Sequence, residues 1–306
     1  ALQTADGEII QVVQRLQRVV EMHDWQHNIL FRPVAAFLFW ELQCAFVVER
    51  WRARYGQAVA GWLDEAGTFE ALVALSTYNY EHPRDPFPEL VDNNGTARFE
   101  ADGLTHPLIP TTEGIANDVH LDSTTRVLIV SGSNMSGKTT LLRSVGVGAV
   151  MALAGAPVRA QRLCLSSVHI GATLRIEDSL QAGRSRFYAE VLRLGHVLET
   201  TRRGPTLYLL DELFHGTNSH DRADGARALL SSLLSLGAVG LITTHDLALV
   251  KIAEHLIPSA RNVHFDDTLV GEEMQFDYRL KPGPVTRSNA LAIMRAVGLD
   301  VPNTVE

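Results

Sequence analysis

The stretch SGSNMSGKTTLLR, residues 131–143, decides the fold, and it follows the apolar run RVLIV at residues 126–130. Within it, Gly132–Thr139 match the pattern G-x-x-x-x-G-K-[ST] of a phosphate-binding loop. Glycines permit torsions that turn consecutive N–H groups inward, and the following helix directs the positive end of its dipole at the same point. A buried strand, this loop and a helix in succession predict an α/β fold that binds nucleotide phosphates.

The side chains of this loop have distinct expected roles. Lys138 reaches the β- and γ-phosphates, and the Thr139 hydroxyl ligates Mg²⁺. An ordinary glycine turn before a helix is the alternative interpretation, but the strand before and the helix after are the context that the motif requires. The residues expected to contact the nucleotide are Gly132, Ser133, Asn134, Met135, Ser136, Gly137, Lys138, Thr139 and Thr140.

Two further strand ends carry polar residues that complete such a site. LYLLDE at residues 207–212 places Asp211 to hold Mg²⁺, directly or through water, and Glu212 to polarise the attacking water. TTHD presents His245 at a strand C-terminus, where α/β sheets bind their ligands, and we expect it to sense the γ-phosphate. An acidic helix cap and a structural histidine are the alternatives. The predicted cofactors are ATP and Mg²⁺.

The composition of the chain limits which partners it can bind and in which cellular compartment we expect it. The 306-residue chain has a net charge of -8, and because nonspecific nucleic-acid binding usually needs basic surface, these residues alone should bind DNA weakly. Cys44 and Cys164 match no metal or redox spacing, which favours a reducing, cytoplasmic compartment. Residues 29–48 contain charged residues and a proline, so no membrane contact is expected. The chain begins at Ala1, and we interpret it as a piece of a longer protein.

The chain divides into a helical first part and an α/β second part. Helical patterns cover residues 8–20, 35–54 and 57–78, whereas residues 81–95 are dense in Pro, Asn and Asp and mark a boundary. Beyond it, helical segments alternate with apolar runs that are typical of buried parallel strands. These runs lie at residues 126–130, 206–210 and 239–244. We therefore predict a helical segment at residues 1–90 and an α/β domain at residues 91–306.

Together these motifs resemble the ATPase domain of the MutS family of DNA mismatch-repair proteins. SGSNMSGKTTLLR resembles the family's Walker A loop, LLDELFHGTNSHDR its Walker B strand and Gly-Thr dimer-contact loop, and ITTHDLAL its histidine loop. SLQAGRSRFYAEV resembles the signature segment. THPLI and IANDVHL precede these motifs in the family's order, and NVHF, FDYRL and SNALAIMRAVGL follow them. The resemblance covers about residues 104–301, and residues 1–90 look like the end of the helical core or lever.

The resemblance implies a P-loop NTPase with an ABC-type sheet and flanking helices. It implies a Mg²⁺-dependent ATPase that forms a homodimer through this domain, with DNA as the partner of the full-length protein. ATP binding and hydrolysis at the dimer interface would then drive DNA-clamp or DNA-repair and recombination changes. It also implies that Asn134 faces the γ-phosphate, that Ser185 completes the partner's nucleotide site, and that Tyr278 stacks on adenine.

Three positions depart from the family's pattern. Gly114 stands where the mismatch readers carry an aromatic residue, His215 where an arginine is usual, and Asn289-Ala290 where an aromatic-glycine pair is typical. These departures indicate a divergent branch. The family's mismatch-reading wedge is absent from these residues, so mismatch recognition is not predicted from them.

Three other functions remain as alternatives. An ATP-gated scaffold of non-repair function would act on a protein or membrane partner with little turnover, although Glu212 argues against a dead ATPase. A transporter-type or chromosome-maintenance ATPase would carry an L-S-G-G-Q-like signature, which this sequence lacks. A small-molecule kinase fits poorly with the Asp-Glu pair and the Gly-Thr loop.

Overall fold

The computed structural model describes residues 3–4, 7–92, 95–174, 186–214, 219–270 and 273–285. The chain divides into two compact units, Ala1–Thr77 and Tyr78–Glu306. The sequence predicts that the helical segment ends and the α/β domain begins near residue 90, and this boundary stays a prediction. Ser185, His215 and the pair Asn289-Ala290, which the sequence singles out, lie outside the described residues.

The first unit is mainly helical. Val12 and Val19, seven residues apart, form the buried face of its first helix. The indole N–H groups of Trp40 and Trp51 donate to the carbonyl oxygens of Met22 and Val12, which ties the long third helix to the first. The elements are β1 (Gln3–Thr4), β2 (Gly7–Glu8), α1 (Ile9–Asp24), a 3₁₀ turn (Trp25–His27), α2 (Arg32–Phe37) and α3 (Trp40–Glu81), which ends beyond the unit boundary at Thr77.

The helix α3 joins two segments that the sequence pattern separates near residue 56. Gly56 lies inside this 42-residue helix, and a Cβ atom there would meet only the Arg52 Cγ atom, at 3.4 Å. A single glycine costs a helix only about 1 kcal/mol, which neighbouring turns offset. Both segments are mainly helical, as the sequence pattern predicts, and the structure joins them in one helix.

The described residues of the second unit form two sheets. Its six-stranded sheet has the order β12-β11-β6-β10-β9-β8, in which β8 to β11 and β6 run parallel and β12 pairs antiparallel at the edge. The strands of this sheet are β6 (Val127–Ser131), β8 (His169–Thr173), β9 (Thr206–Leu210), β10 (Val239–Thr244), β11 (Ala260–Val270) and β12 (Glu273–Pro282). The other sheet has the order β3-β7-β4-β5, with β3 (Glu89–Val91), β4 (Phe99–Leu104), β5 (Asn117–Leu121) and β7 (Arg162–Ser166).

Among the described residues, four helices flank the six-stranded sheet. Successive residues of a strand point to opposite faces, so β6 directs Leu128 and Val130 into one core and Val127 and Ile129 into the other. The first core is shared with the four-stranded sheet and α4, and the second with the remaining three helices. These helices are α4 (Lys138–Leu153), α5 (Arg186–Arg203), α6 (Ser219–Ser235) and α7 (Leu247–Glu254).

The strands predicted from apolar runs lie at the centre of this mixed α/β fold. β6, β9 and β10 are buried along their whole length, as expected for parallel strands covered on both faces. Because they are parallel neighbours, their carboxyl ends meet at one edge of the sheet. In the ranges that the structure describes, no helix is both long enough and apolar enough to cross a membrane.

Candidate functional site

The loop between β6 and α4 requires glycine at both ends. Gly132 and Gly137 have φ angles of 147° and 108°, which side chains rarely adopt, and Met135 between them has a φ of 70°. A Cβ atom at Gly132 would lie 2.8 Å from the Ser136 Oγ atom and 3.0 Å from the Phe265 carbonyl oxygen. The loop is therefore closed tightly enough to exclude any side chain at residue 132.

The lysine that follows the loop points back across it. Lys138 is 4% exposed, and its Nζ atom donates to the carbonyl oxygens of Gly132 and Ser133, both at 2.7 Å. Burial lowers the pKa of this ammonium group, and the nearby carboxylates of Glu212, Asp211 and Asp267 oppose that shift. The loop thus surrounds a nearly buried cation, which is an arrangement suited to binding an anion.

The residues predicted as Mg²⁺ ligands lie in direct contact. The Thr139 Oγ1 atom donates to Asp211, at 3.0 Å from Oδ2 and 3.3 Å from Oδ1. The first residue comes from the start of α4 and the second from the end of β9, so the fold brings two distant strand ends together. A hydroxyl and a carboxylate are oxygen donors of the kind that Mg²⁺ prefers, and these two residues could hold that ion.

Glu212 and His245 form a second pair at the same edge. The His245 Nδ1 atom lies 3.6 Å from the Glu212 Oε1 atom, and the side chains are 43% and 28% exposed. Glu212 has a φ of 48°, so the chain turns sharply directly after β9. A carboxylate that reaches solvent beside an imidazole can accept a proton from a bound water.

Thr243 connects these two pairs, and sequence reasoning missed it. Its buried Oγ1 atom donates to Asp211 Oδ1 and accepts the N–H of Glu212 at 3.0 Å. One hydroxyl therefore orients both carboxylate residues. The signal was the polar Thr-Thr pair that ends the buried strand β10 just before His245.

A cavity of about 570 Å³ opens beside the loop. Tyr278 lies at its rim, 44% exposed, with its Cδ1 atom 3.3 Å from the point that a Cβ atom on Gly137 would occupy. The walls are mainly apolar and include Leu104, Leu108, Ile109, Ile115, Met135 and Phe265. The size and character of this cavity suit the flat, apolar faces of a nucleotide base.

His106 is a polar member of the cavity wall. Burial, assisted by the charge of Arg143, lowers the pKa of its imidazole, which favours the neutral form. Its Nδ1 atom accepts the N–H of Leu108 at 3.2 Å. Sequence reasoning used this residue only as part of the THPLI motif and assigned it no place in a site.

Asn117 makes two hydrogen bonds to the backbone around Tyr278. Its Nδ2 atom donates to the Tyr278 carbonyl oxygen at 3.0 Å, and its Oδ1 atom accepts the N–H of Leu280 at 2.6 Å. Tyr278 has a φ of 52°, and the regular pairing of β11 with β12 is interrupted around it. The asparagine side chain thus replaces backbone hydrogen bonds that β12 would otherwise make with β11. The motif IANDVHL contained this residue, but its partners lie more than 160 residues away.

The hydroxyl groups of Ser133 and Ser136 are buried in the loop. Within the described part of the chain, neither hydroxyl has a hydrogen-bond partner. Buried polar groups are rarely left without one, so such a pair inside an anion-binding loop suits the binding of phosphate oxygens. The loop residues Asn134 and Met135 are exposed, and Thr140 faces the cavity.

Comparison with known proteins agrees with the order of these motifs. The family model described as MutS domain V matches residues 128–305, which is more than half of the chain. Endonuclease MutS2 of Thermus thermophilus is 36% identical over 205 residues, covering 66% of this chain and 26% of that protein. The chain thus matches about a quarter of that relative's length. The resemblance drawn from the motifs is confirmed, and the chain belongs to the MutS family.

Proposed function

We propose that this chain is a Mg²⁺-dependent ATPase of the P-loop type, with an ABC-type sheet. The observation that carries the proposal is the contact of 3.0 Å between Thr139 and Asp211, beside a loop that encloses the buried Lys138. A cation, a hydroxyl and a carboxylate at the carboxyl ends of the parallel strands β6 and β9, which lie on either side of β10, are the groups that phosphoryl transfer needs. Family membership supports the same assignment.

In this proposal, each residue of the site has its own role in ATP hydrolysis. Lys138 and the N–H groups of residues 132–140 bind the phosphates, with Asn134 towards the γ-phosphate. Thr139 and Asp211 hold Mg²⁺, which supplies charge neutralisation of the phosphates when bound. Glu212 accepts the proton of the attacking water, a role worth about 10²–10⁴ in rate. His245, next to that carboxylate, contacts the γ-phosphate or the water.

The cavity beside the loop takes the adenine in this proposal. Tyr278 offers one π face, and the apolar residues opposite it pack against the other side of the base. The Ser133 and Ser136 hydroxyls, which lack protein partners in the described ranges, would donate to phosphate oxygens. The loop and the cavity are adjacent, so one nucleotide can occupy both.

The whole protein would use this cycle in a dimer. We propose that two copies associate through the ATPase domain, with Ser185 of each completing the other's nucleotide site. Family membership and the name of the relative, an endonuclease, support DNA as the partner of the whole protein. Nucleotide-driven changes would then move the parts of the protein that contact DNA.

The substitution Glu212→Gln tests the assignment of hydrolysis. We expect kcat to fall at least 10²-fold because the amide cannot accept a proton, while the Kd for ATP stays within about threefold. Glu254→Gln, at the exposed end of α7, is the matched control and should hydrolyse ATP at the wild-type rate. Equal turnover in Glu212→Gln and wild type would remove Glu212 from the base role. A wild-type protein that binds ATP without turnover would instead favour an ATP-gated scaffold.

A further inference from the structure

The loop that carries Glu212 adopts a conformation that its neighbours must maintain. Two of its non-glycine residues, Glu212 and Phe214, have positive φ angles of 48° and 56°. Side chains rarely adopt this region, and such residues persist only where surrounding contacts determine them. The position of the Glu212 carboxylate therefore depends on what holds the backbone on either side of it.

One of these contacts comes from the sheet and the other from helix α5. The N–H of Glu212 donates to Thr243 at the end of β10, at 3.0 Å. The N–H of Phe214 donates to the Oε1 atom of Glu190, in the second turn of α5. Glu190 is 3% exposed, and a buried carboxylate is costly unless hydrogen bonds compensate it. A buried acceptor at this position therefore indicates a specific role.

The side chain of Phe214 is held by the same helix and by α6. Its ring lies against that of Phe187, one turn before Glu190, with the ring centroids 6.3 Å apart. On the other side, a Cβ atom at Gly225 of α6 would lie 3.2 Å from the ring, so the ring packs closely against the backbone of α6 at this glycine. Both the backbone and the side chain of Phe214 thus follow the position of α5.

We propose that Glu190 is a positioning residue that transmits the position of α5 to the Glu212 carboxylate. The inference rests on the proposed hydrolysis at Glu212. Helix α5 begins at Arg186, directly after Ser185, the residue proposed to complete the partner's nucleotide site. The bond from the Phe214 N–H to Glu190 ties the first turns of α5 to the loop two residues from Glu212.

Three substitutions in the whole protein test this role. Glu190→Leu removes the acceptor with little change of volume, whereas Glu190→Gln keeps an amide oxygen that can accept the same N–H. Glu199→Leu is the matched control, because Glu199 lies on the same helix with an exposed side chain. The measurements are kcat, the Kd for ATP, and amide hydrogen exchange of a peptide that includes residues 211–214.

We expect Glu190→Leu to lower kcat at least tenfold, to leave the Kd for ATP within threefold, and to accelerate exchange at Phe214 at least tenfold. Glu190→Gln and Glu199→Leu should behave as wild type in all three measurements. Retained ATP affinity in Glu190→Leu also shows that the variant folds.

The role is overturned if Glu190→Leu hydrolyses ATP at the wild-type rate or loses ATP affinity together with kcat. It is also overturned if Glu190→Gln hydrolyses ATP as slowly as Glu190→Leu does. Loss of the hydrogen bond from the Phe214 N–H would then not explain the lower kcat. A wild-type protein without hydrolysis would refute the proposed function and the transmission with it. Exchange at Phe214 distinguishes that case, since it reports the contact whether or not ATP is hydrolysed.

Discussion

Removing the side chain of Asn117 should weaken ATP binding, although this side chain is not proposed to contact the nucleotide. Asn117→Ala deletes the two hydrogen bonds, to the Tyr278 carbonyl oxygen and from the Leu280 N–H, that hold the irregular segment of β12. The ring of Tyr278 then loses the support that keeps it against Gly137. The effect on ATP affinity would be indirect, because fewer molecules would hold the Tyr278 ring in the conformation that stacks on adenine.

The structure sets the size of this effect. Each hydrogen bond contributes about 1 kcal/mol, so about 2 kcal/mol of support is lost. The left-handed conformation of Tyr278 itself costs about 1–2 kcal/mol, and the two quantities are comparable. A loss of about 2 kcal/mol corresponds to an upper limit of about thirtyfold in Kd. Because Asn117 is only half-buried and water can replace part of the bonding, we expect about five- to tenfold.

A double-mutant cycle measured by calorimetric titration of ATP checks the mechanism. If Asn117 acts through the ring, Asn117→Ala should change the Kd less than about twofold in a Tyr278→Ala background. Asn28→Ala is the matched control, since Asn28 makes a local turn bond in the first unit and should leave affinity unchanged. Unchanged affinity in Asn117→Ala, or an equal loss with and without Tyr278, would refute this reasoning.

Two further predictions concern hydrolysis and assembly. Thr243→Val should lower kcat at least tenfold, because it removes the hydroxyl that contacts both Asp211 and the Glu212 N–H, whereas Thr243→Ser should retain it. Steady-state ATP hydrolysis distinguishes the two variants, and a valine variant as active as the serine variant would contradict the role. Ser185→Ala and Lys138→Ala should each be nearly inactive alone, yet a mixture should recover activity, because a heterodimer has one site with both residues intact. No recovery in a mixture shown to exchange subunits would mean that Ser185 does not serve the partner's site.

The sequence predicted those parts of the fold that local pattern determines. β6, β9 and β10 were visible because strands covered on both faces are apolar throughout, and α4 because a glycine loop precedes it. The four-stranded sheet was missed. Its strand β3 has three residues and pairs with β7, more than 70 residues later, so no local periodicity reveals it.

The sequence indicates candidate site residues where one residue has one expected role in a motif. Lys138, Thr139 and Asp211 belong to patterns whose spacing reflects phosphate and metal geometry. Thr243 and Asn117 could not be assigned in this way, because each binds backbone groups that folding brings from distant parts of the chain. The polar character of both residues at strand ends was the only local sign of their roles.

The most direct test of the account is calorimetric titration of ATP with Mg²⁺ into the wild-type protein and Lys138→Ala. The account predicts one site per chain, and a Kd at least tenfold higher in the variant because the buried cation of the loop is lost. Lys251→Ala, on the exposed face of α7, is the matched control and should bind ATP as the wild type does. Equal ATP affinity in Lys138→Ala and wild type would contradict a nucleotide site at this loop.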